Sequence, residues 1–137
     1  MKSFTIYTDG AAKGNPGPAS AGWVILSGEG KLISEGKKYL GEMTNNQAEY
    51  RALLLALAEL QKKEKAEEVR LNLHADSELM VKQLKGEYKV KNEGLRPLFR
   101  EATLTLSKFA GFSIKYIPRE ENSEADRLAN EAIEERF

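Results

Sequence analysis

Thr5-Ile6-Tyr7-Thr8-Asp9-Gly10-Ala11-Ala12-Lys13-Gly14-Asn15-Pro16-Gly17-Pro18 reads as a β-strand that carries one carboxylate to its end and then breaks into a loop. Thr, Ile and Tyr favour extended backbone, and the glycine and proline pairs stop it. An acid at a strand end, beside a loop rich in accessible backbone, can hold a cation against a phosphate. Asp is also an ordinary turn residue, so the meaning of Asp9 rests on the remainder of the chain.

Working outward, Phe4 to Thr8 alternates with period two. Ala21 to Leu26 predicts a second strand, Ser27-Gly28-Glu29-Gly30 a turn, and Lys31 to Leu40 a third strand forming a hairpin with the second. Thr44-Asn45-Asn46-Gln47 has the spacing of a capping box, and the Leu/Ala-rich helix behind it runs to about Lys63. Val69 to Ala75 alternates again and ends at Asp76, and Ser77 to Leu84 predicts a short helix. Lys85 to Asn92 is a polar connection, and Glu93 to Phe109 predicts a helix that tolerates Pro97 in its first turn. Phe112 to Ile117 predicts the fifth strand, Pro118-Arg119-Glu120-Glu121 a loop, and Asn122 or Ser123 the cap of a last helix reaching the C-terminus. A meander followed by crossover units implies an α/β fold, a five-stranded mixed sheet with helices on both faces. Trp23-Val24-Ile25-Leu26, the Leu53-Leu54-Leu55 run, Leu104 and Leu106 read as packing.

Composition narrows the classes. At 137 residues, 41% hydrophobic and 31% charged, the chain has the size and balance of one globular domain, residues 1–137. The longest apolar run, Ala52 to Ala58, is too short for a bilayer, and no basic-plus-apolar leader opens the chain, so we expect a cytoplasmic protein. With no cysteine there is no disulfide framework or thiol nucleophile, and a single His excludes a typical zinc site. The net charge is zero, so any basic footprint for nucleic acid has to be local.

Glutamate is the acid of this surface, and only three of the 21 acids are aspartates: Asp9, Asp76 and Asp126. Asp76 ends a strand, where it could simply cap the next helix. Asp126 lies one turn into the last helix, a favourable place for any acid. Glu49 shares a helical stripe with Ala52, Leu53, Ala56 and Leu60, which would turn it towards the sheet, where an unpaired carboxylate is costly; the alternative is an exposed or boundary Glu near a helix N-terminus, favoured by the macrodipole. Strands that begin crossover units bring their C-terminal ends to one rim, so Asp9 and Asp76 should meet there. Four converging carboxylates without four cations repel, and hard divalent ions with oxygen ligands, Mg²⁺ or Mn²⁺, resolve that repulsion.

These residues resemble the type 1 ribonuclease H family over essentially the whole chain. Thr8-Asp9-Gly10 with Gly14-Asn15-Pro16-Gly17-Pro18 is similar to the family's opening motif. Thr44-Asn45-Asn46-Gln47-Ala48-Glu49, Asp76-Ser77 and Asn122-Ser123-Glu124-Ala125-Asp126 are similar to the next three, in order. The resemblance implies endonucleolytic hydrolysis of the RNA strand of an RNA–DNA hybrid, leaving 3′-hydroxyl and 5′-phosphate ends. It implies two Mg²⁺ ions per site, with Mn²⁺ as a substitute, Asp9 bridging both, Glu49 and Asp76 on one and Asp126 on the other. Asn15, Thr44, Asn45, Asn46 and Gln47 would contact the duplex in its minor groove.

Two features depart from the family pattern. Many members carry a His in the loop before the last acid; here Arg119 stands there and is the candidate to replace it by binding phosphate, since a guanidinium does not shuttle protons. The alternative is a surface Arg paired with Glu120 or Glu121. His74 reads as a strand histidine. The basic handle of many relatives is reduced to a short connection in which Lys89 and Lys91, with Tyr88 and Trp23 for stacking, could grip the DNA strand. Weaker hybrid binding than in handle-bearing relatives is expected. Double-stranded RNA or DNA as substrate, a catalytically silent hybrid-binding module and an actin-like ATPase are the competing readings; the last lacks a second domain here. No feature argues for oligomers, so a monomer is expected.

Overall fold

The computed structural model describes residues 1–136. Five strands, β1 (Lys2–Ala12), β2 (Gly17–Ser27), β3 (Leu32–Met43), β4 (Val69–Ala75) and β5 (Gly111–Tyr116), form one sheet in the order β3-β2-β1-β4-β5. β1, β2 and β3 are an antiparallel meander, while β4 and β5 run parallel to β1. The helices are α1 (Asn45–Lys63), α2 (Glu78–Leu84), α3 (Arg96–Leu106) and α4 (Ser123–Glu134).

Sequence and burial agree strand by strand. β2 is buried along almost its whole length because α1 covers one face and α4 the other. β4 alternates, with Val69, Leu71, Leu73 and Ala75 buried and Arg70 and Asn72 exposed, as one covered face requires. Edge strand β3 is largely exposed and carries charged side chains along it. α1 is held at its start by the expected box: Thr44 Oγ1 accepts from Gln47 N at 3.2 Å and Gln47 Oε1 from Thr44 N at 3.0 Å. Its buried stripe, including Ala52, Leu53, Ala56, Leu57 and Leu60, closes the core over the sheet.

Several elements differ from the sequence expectation. β1 does not end at Asp9 but continues to Ala12, because its pairing with β2 persists as far as Ala12 opposite Ala19. β2 and β3 likewise start earlier or end later than the alternation indicated, since antiparallel pairing carries polar ends along. α3 begins only at Arg96: Asn92 Oδ1 accepts from the backbone N–H of Gly94 and Leu95 and holds those residues in a turn. Leu104 is 65% exposed rather than core, whereas Leu106 is buried. Trp23 is buried, with its Nε1–H directed to Glu59, so it is not available to stack on a base. α4 ends at Glu134, and Phe137 lies outside the described residues.

Candidate metal centre and nucleic-acid interface

β4 stops one residue before Asp76, and its ladder with β1 ends at Thr8 opposite Ala75. β1 therefore overhangs its neighbour from Asp9 to Ala12. In an extended strand every second residue presents its backbone polar groups to the same edge. Side chains replace the missing strand there. Asn122 Nδ2 donates to the Thr8 carbonyl at 2.8 Å, Gly10 N donates to Glu49 Oε1 at 2.9 Å, and Ala12 N donates to Asn45 Oδ1 at 3.0 Å.

Glycine makes this approach possible. A Cβ on Gly10 would fall inside the backbone of Ala48 and Glu49, so α1 lies directly on β1 at its carboxylate. On the other face, a Cβ on Gly22, the residue paired with Asp9, would overlap the Ala125 carbonyl and the Ala129 amide of α4. The two glycines let helices from opposite faces bring Glu49 and Asp126 to one strand position.

Asp9, Glu49 and Asp76 each offer an oxygen within 4.8 Å of the others. Asp9 and Glu49 are buried, and Asp76 and Asp126 are partly exposed. Asp126 faces Asp9 from α4, outside that compact triad but close enough for its charge to act on it. Burial first, then the charges of Asp76 and Asp126, push the Asp9 carboxyl up to about 9. Burial, followed by the charges of Asp9 and Asp76, holds Glu49 well above the carboxylate range despite the Gly10 N–H. Asp9 Oδ2 is fully buried and no donor reaches it. Among the described residues no lysine or arginine forms an ion pair with any of the four acids. An oxygen-only, anionic and unsatisfied cluster suits a hard divalent cation.

This arrangement has a pH signature. An unfolded chain releases the protons of Asp9 and Glu49 near pH 4, whereas the metal-free fold retains them to higher pH. The native state then binds more protons than the unfolded state, so stability falls as pH rises. Thermal melts in chelator should show a Tm that decreases from pH 5 towards pH 9, the range between the loss of the Asp9 proton from the unfolded chain and its loss from the fold. Added divalent cation should flatten that decline; a Tm independent of pH in chelator would contradict the electrostatic reading.

The other sequence candidates divide in two. Asn45, Asn46 and Arg119 line the acidic cleft, of about 570 Å³, together with Lys13 and Asn130, which the sequence reading passed over. Lys13 sits within the first quoted stretch and Asn130 one turn beyond Asp126, so proximity to the motifs was the available signal. Arg119, in a 3-10 turn (Arg119–Glu121), is exposed and makes no ion pair with Glu120 or Glu121 among the described residues. Asn15 braces the interface loop: its Oδ1 accepts from Asn45 N at 3.1 Å. Thr44 and Gln47 are engaged in the capping box. Lys89 lies elsewhere, in a groove with Tyr88, Arg96 and Arg100, and Lys91 is exposed on the same connection; neither lines the acidic cleft. His74 stacks on Tyr7, ring centroids 4.8 Å apart, as a strand residue would.

Residues 7–132 match a family model described as reverse transcriptase-like. Ribonuclease H of Erythrobacter litoralis is 34% identical over 148 residues, covering 98% of this chain and 98% of the relative. The chain belongs to the type 1 ribonuclease H family. Ribonuclease HI of Halobacterium salinarum is 43% identical over 132 residues, 94% of this chain and 63% of that protein. The chain thus spans less than two thirds of that halobacterial relative's length. The crystal structure of RNase H1 from the same archaeon superposes with a TM-score of 0.91 at 42% identity, covering 96% of this chain and 98% of that one. LC11-RNase H1, solved in complex with an RNA/DNA hybrid, gives 0.92 at 41% identity, over 97% and 98% of the two chains. No helix among the described residues is long and apolar enough to cross a membrane.

Proposed function

We propose that this ribonuclease H-family chain hydrolyses the RNA strand of RNA–DNA hybrids internally, leaving 3′-hydroxyl and 5′-phosphate ends. The observation that carries the reading is the Asp9–Glu49–Asp76 cluster, with Asp9 and Glu49 buried, unpaired with any cation among the described residues and flanked by Asp126. These four acids would hold Mg²⁺, or Mn²⁺ in its place, as two ions per site: Asp9 shared, Glu49 and Asp76 on one, Asp126 on the other. Bound there, the ions supply Lewis-acid charge at the phosphate and a nucleophilic water at neutral pH.

The chain's own residues define which strand enters. Asn45 Oδ1 is committed to Ala12 N, Asn15 Oδ1 to Asn45 N, and Gln47 Oε1 to Thr44 N. With their oxygens engaged, the three amides present N–H donors, and the Thr44 hydroxyl, already accepting from Gln47 N, has its hydrogen to offer. A donor surface selects oxygen acceptors, such as the 2′-hydroxyls and phosphates across the minor groove of an RNA-containing duplex. Asn46, beside Glu49 in the cleft, belongs to the same surface. Lys89 and Lys91 would add weak electrostatic contact further along the DNA strand. Arg119, unpaired among the described residues and lining the cleft, would bind phosphate of the cleaved strand. Arg119→Ala should slow turnover about tenfold while leaving Mn²⁺ affinity within twofold; an unchanged rate removes Arg119 from the site.

The reading is tested with end-labelled RNA–DNA hybrid, double-stranded RNA, single-stranded RNA and double-stranded DNA, each with Mg²⁺, Mn²⁺ or chelator. Metal-dependent internal cuts confined to the RNA of the hybrid are expected. Cleavage of double-stranded RNA as well would broaden the substrate and keep the chemistry. Binding of hybrid without cleavage under any metal would replace the enzyme with a silent binding module.

A further inference from the structure

The overhanging edge of β1 ends in a buried amide, Asn122, that is not among the four acids assigned to metal. Asn122 is 1% exposed. Its Nδ2 donates to the Thr8 carbonyl at 2.8 Å and to Asp76 Oδ2 at 3.2 Å. Its backbone carbonyl accepts from Asp126 N at 3.0 Å. One residue therefore touches the strand residue before Asp9, the carboxylate of Asp76 and the amide of Asp126. We propose that Asn122 is a positioning residue for the divalent-cation site, fixing the Asp76 carboxylate and holding the start of α4 in register with the end of β1.

The chemistry of the side chain supports this role over an ordinary one. Asn at the start of a helix usually caps it, but the Asn122 side chain makes no capping hydrogen bond to α4. Its Oδ1 is buried with no partner, a cost that a mere cap at the surface would not incur. What the position requires is one nitrogen with two hydrogens, one for each acceptor. Asn supplies that; Ser has a single hydrogen and Asp has none when ionised. The Asp76 carboxylate has a soft terminal torsion, and a donor on Oδ2 restrains it. Groups that orient metal ligands in this way change metal affinity without touching the metal. The inference rests on the divalent-metal reading of the acidic cluster.

The test is a calorimetric Mn²⁺ titration of the full chain after chelator treatment, comparing wild type, Asn122→Ser and Asn122→Ala. Ser suits a helix start, so the first variant preserves α4 locally. Leu106→Ala, buried in α3 away from the cleft, controls for instability alone. Both Asn122 variants should bind Mn²⁺ about tenfold more weakly or worse. Their KM for hybrid should stay within twofold at saturating Mn²⁺, and Leu106→Ala should keep wild-type affinity at a comparable loss of Tm. Affinity within twofold of wild type in both Asn122 variants, or an equal loss in Leu106→Ala, overturns the proposal. Absence of Mn²⁺ uptake by the wild type sinks the metal reading itself and this inference with it, and is seen before any variant is made.

Discussion

Asp9→Asn should lower hybrid cleavage by about a thousandfold or more, equivalent to about 4 kcal/mol of barrier, and should raise the Tm of the metal-free protein at pH 8. Both effects come from one placement. Asp9 sits at the end of the shared β1–β4 ladder, buried, with Glu49 and Asp76 within 4.8 Å and Asp126 facing it. An amide there keeps the volume but loses the charge that a divalent cation needs. In the metal-free fold the same charge is a burden: the carboxyl either takes up a proton near pH 9 or stands ionised beside other acids. Removing it relieves the fold while disabling the site. Gel assays of labelled hybrid and thermal melts in chelator read the two effects separately. Loss of activity together with a lowered Tm would assign Asp9 a structural role.

Gly10→Ala is expected to cost about 3 kcal/mol or more of unfolding free energy, at the upper end of overpacking penalties. The added methyl would meet the backbone of Ala48 and Glu49, which no change of side-chain rotamer relieves. α1 would have to back away from β1, and the Gly10 N–H to Glu49 Oε1 bond would stretch with it. Urea unfolding measures the first consequence. Divalent-cation affinity, compared under conditions where the variant is still folded, measures the second. An unfolding free energy within about 0.5 kcal/mol of wild type would show that α1 does not press on β1 at Gly10.

Much of this is legible in the sequence. Strand alternation in β4, the Thr44/Gln47 box and the stripe of α1 follow from local periodicity, and the structure reproduces them because local and tertiary preferences coincide there. The four acids stand out through their places at motif ends, and the resemblance to ribonuclease H rests on those same motifs. Other features depend on contacts between distant segments. The length of β1 beyond Asp9 is set by its pairing with β2, not by the propensity of Gly10, Ala11 and Ala12. α3 is shortened by the side chain of Asn92, and Leu104 points outward because α3 packs only along its other side.

The sequence by itself determined the order of elements and the family and picked out the carboxylates proposed as cation ligands, since each is a matter of local pattern and side-chain chemistry. Only the tertiary structure decided that β4 stops short of Asp9. That early stop leaves the edge of β1 to be completed by Glu49, Asn45 and Asn122, residues 33 to 114 positions away from their partners. It also decided that Asn122 serves Thr8 and Asp76 instead of capping α4. Hydrogen bonds between segments so far apart depend on strand register and helix packing, which no single stretch of sequence encodes.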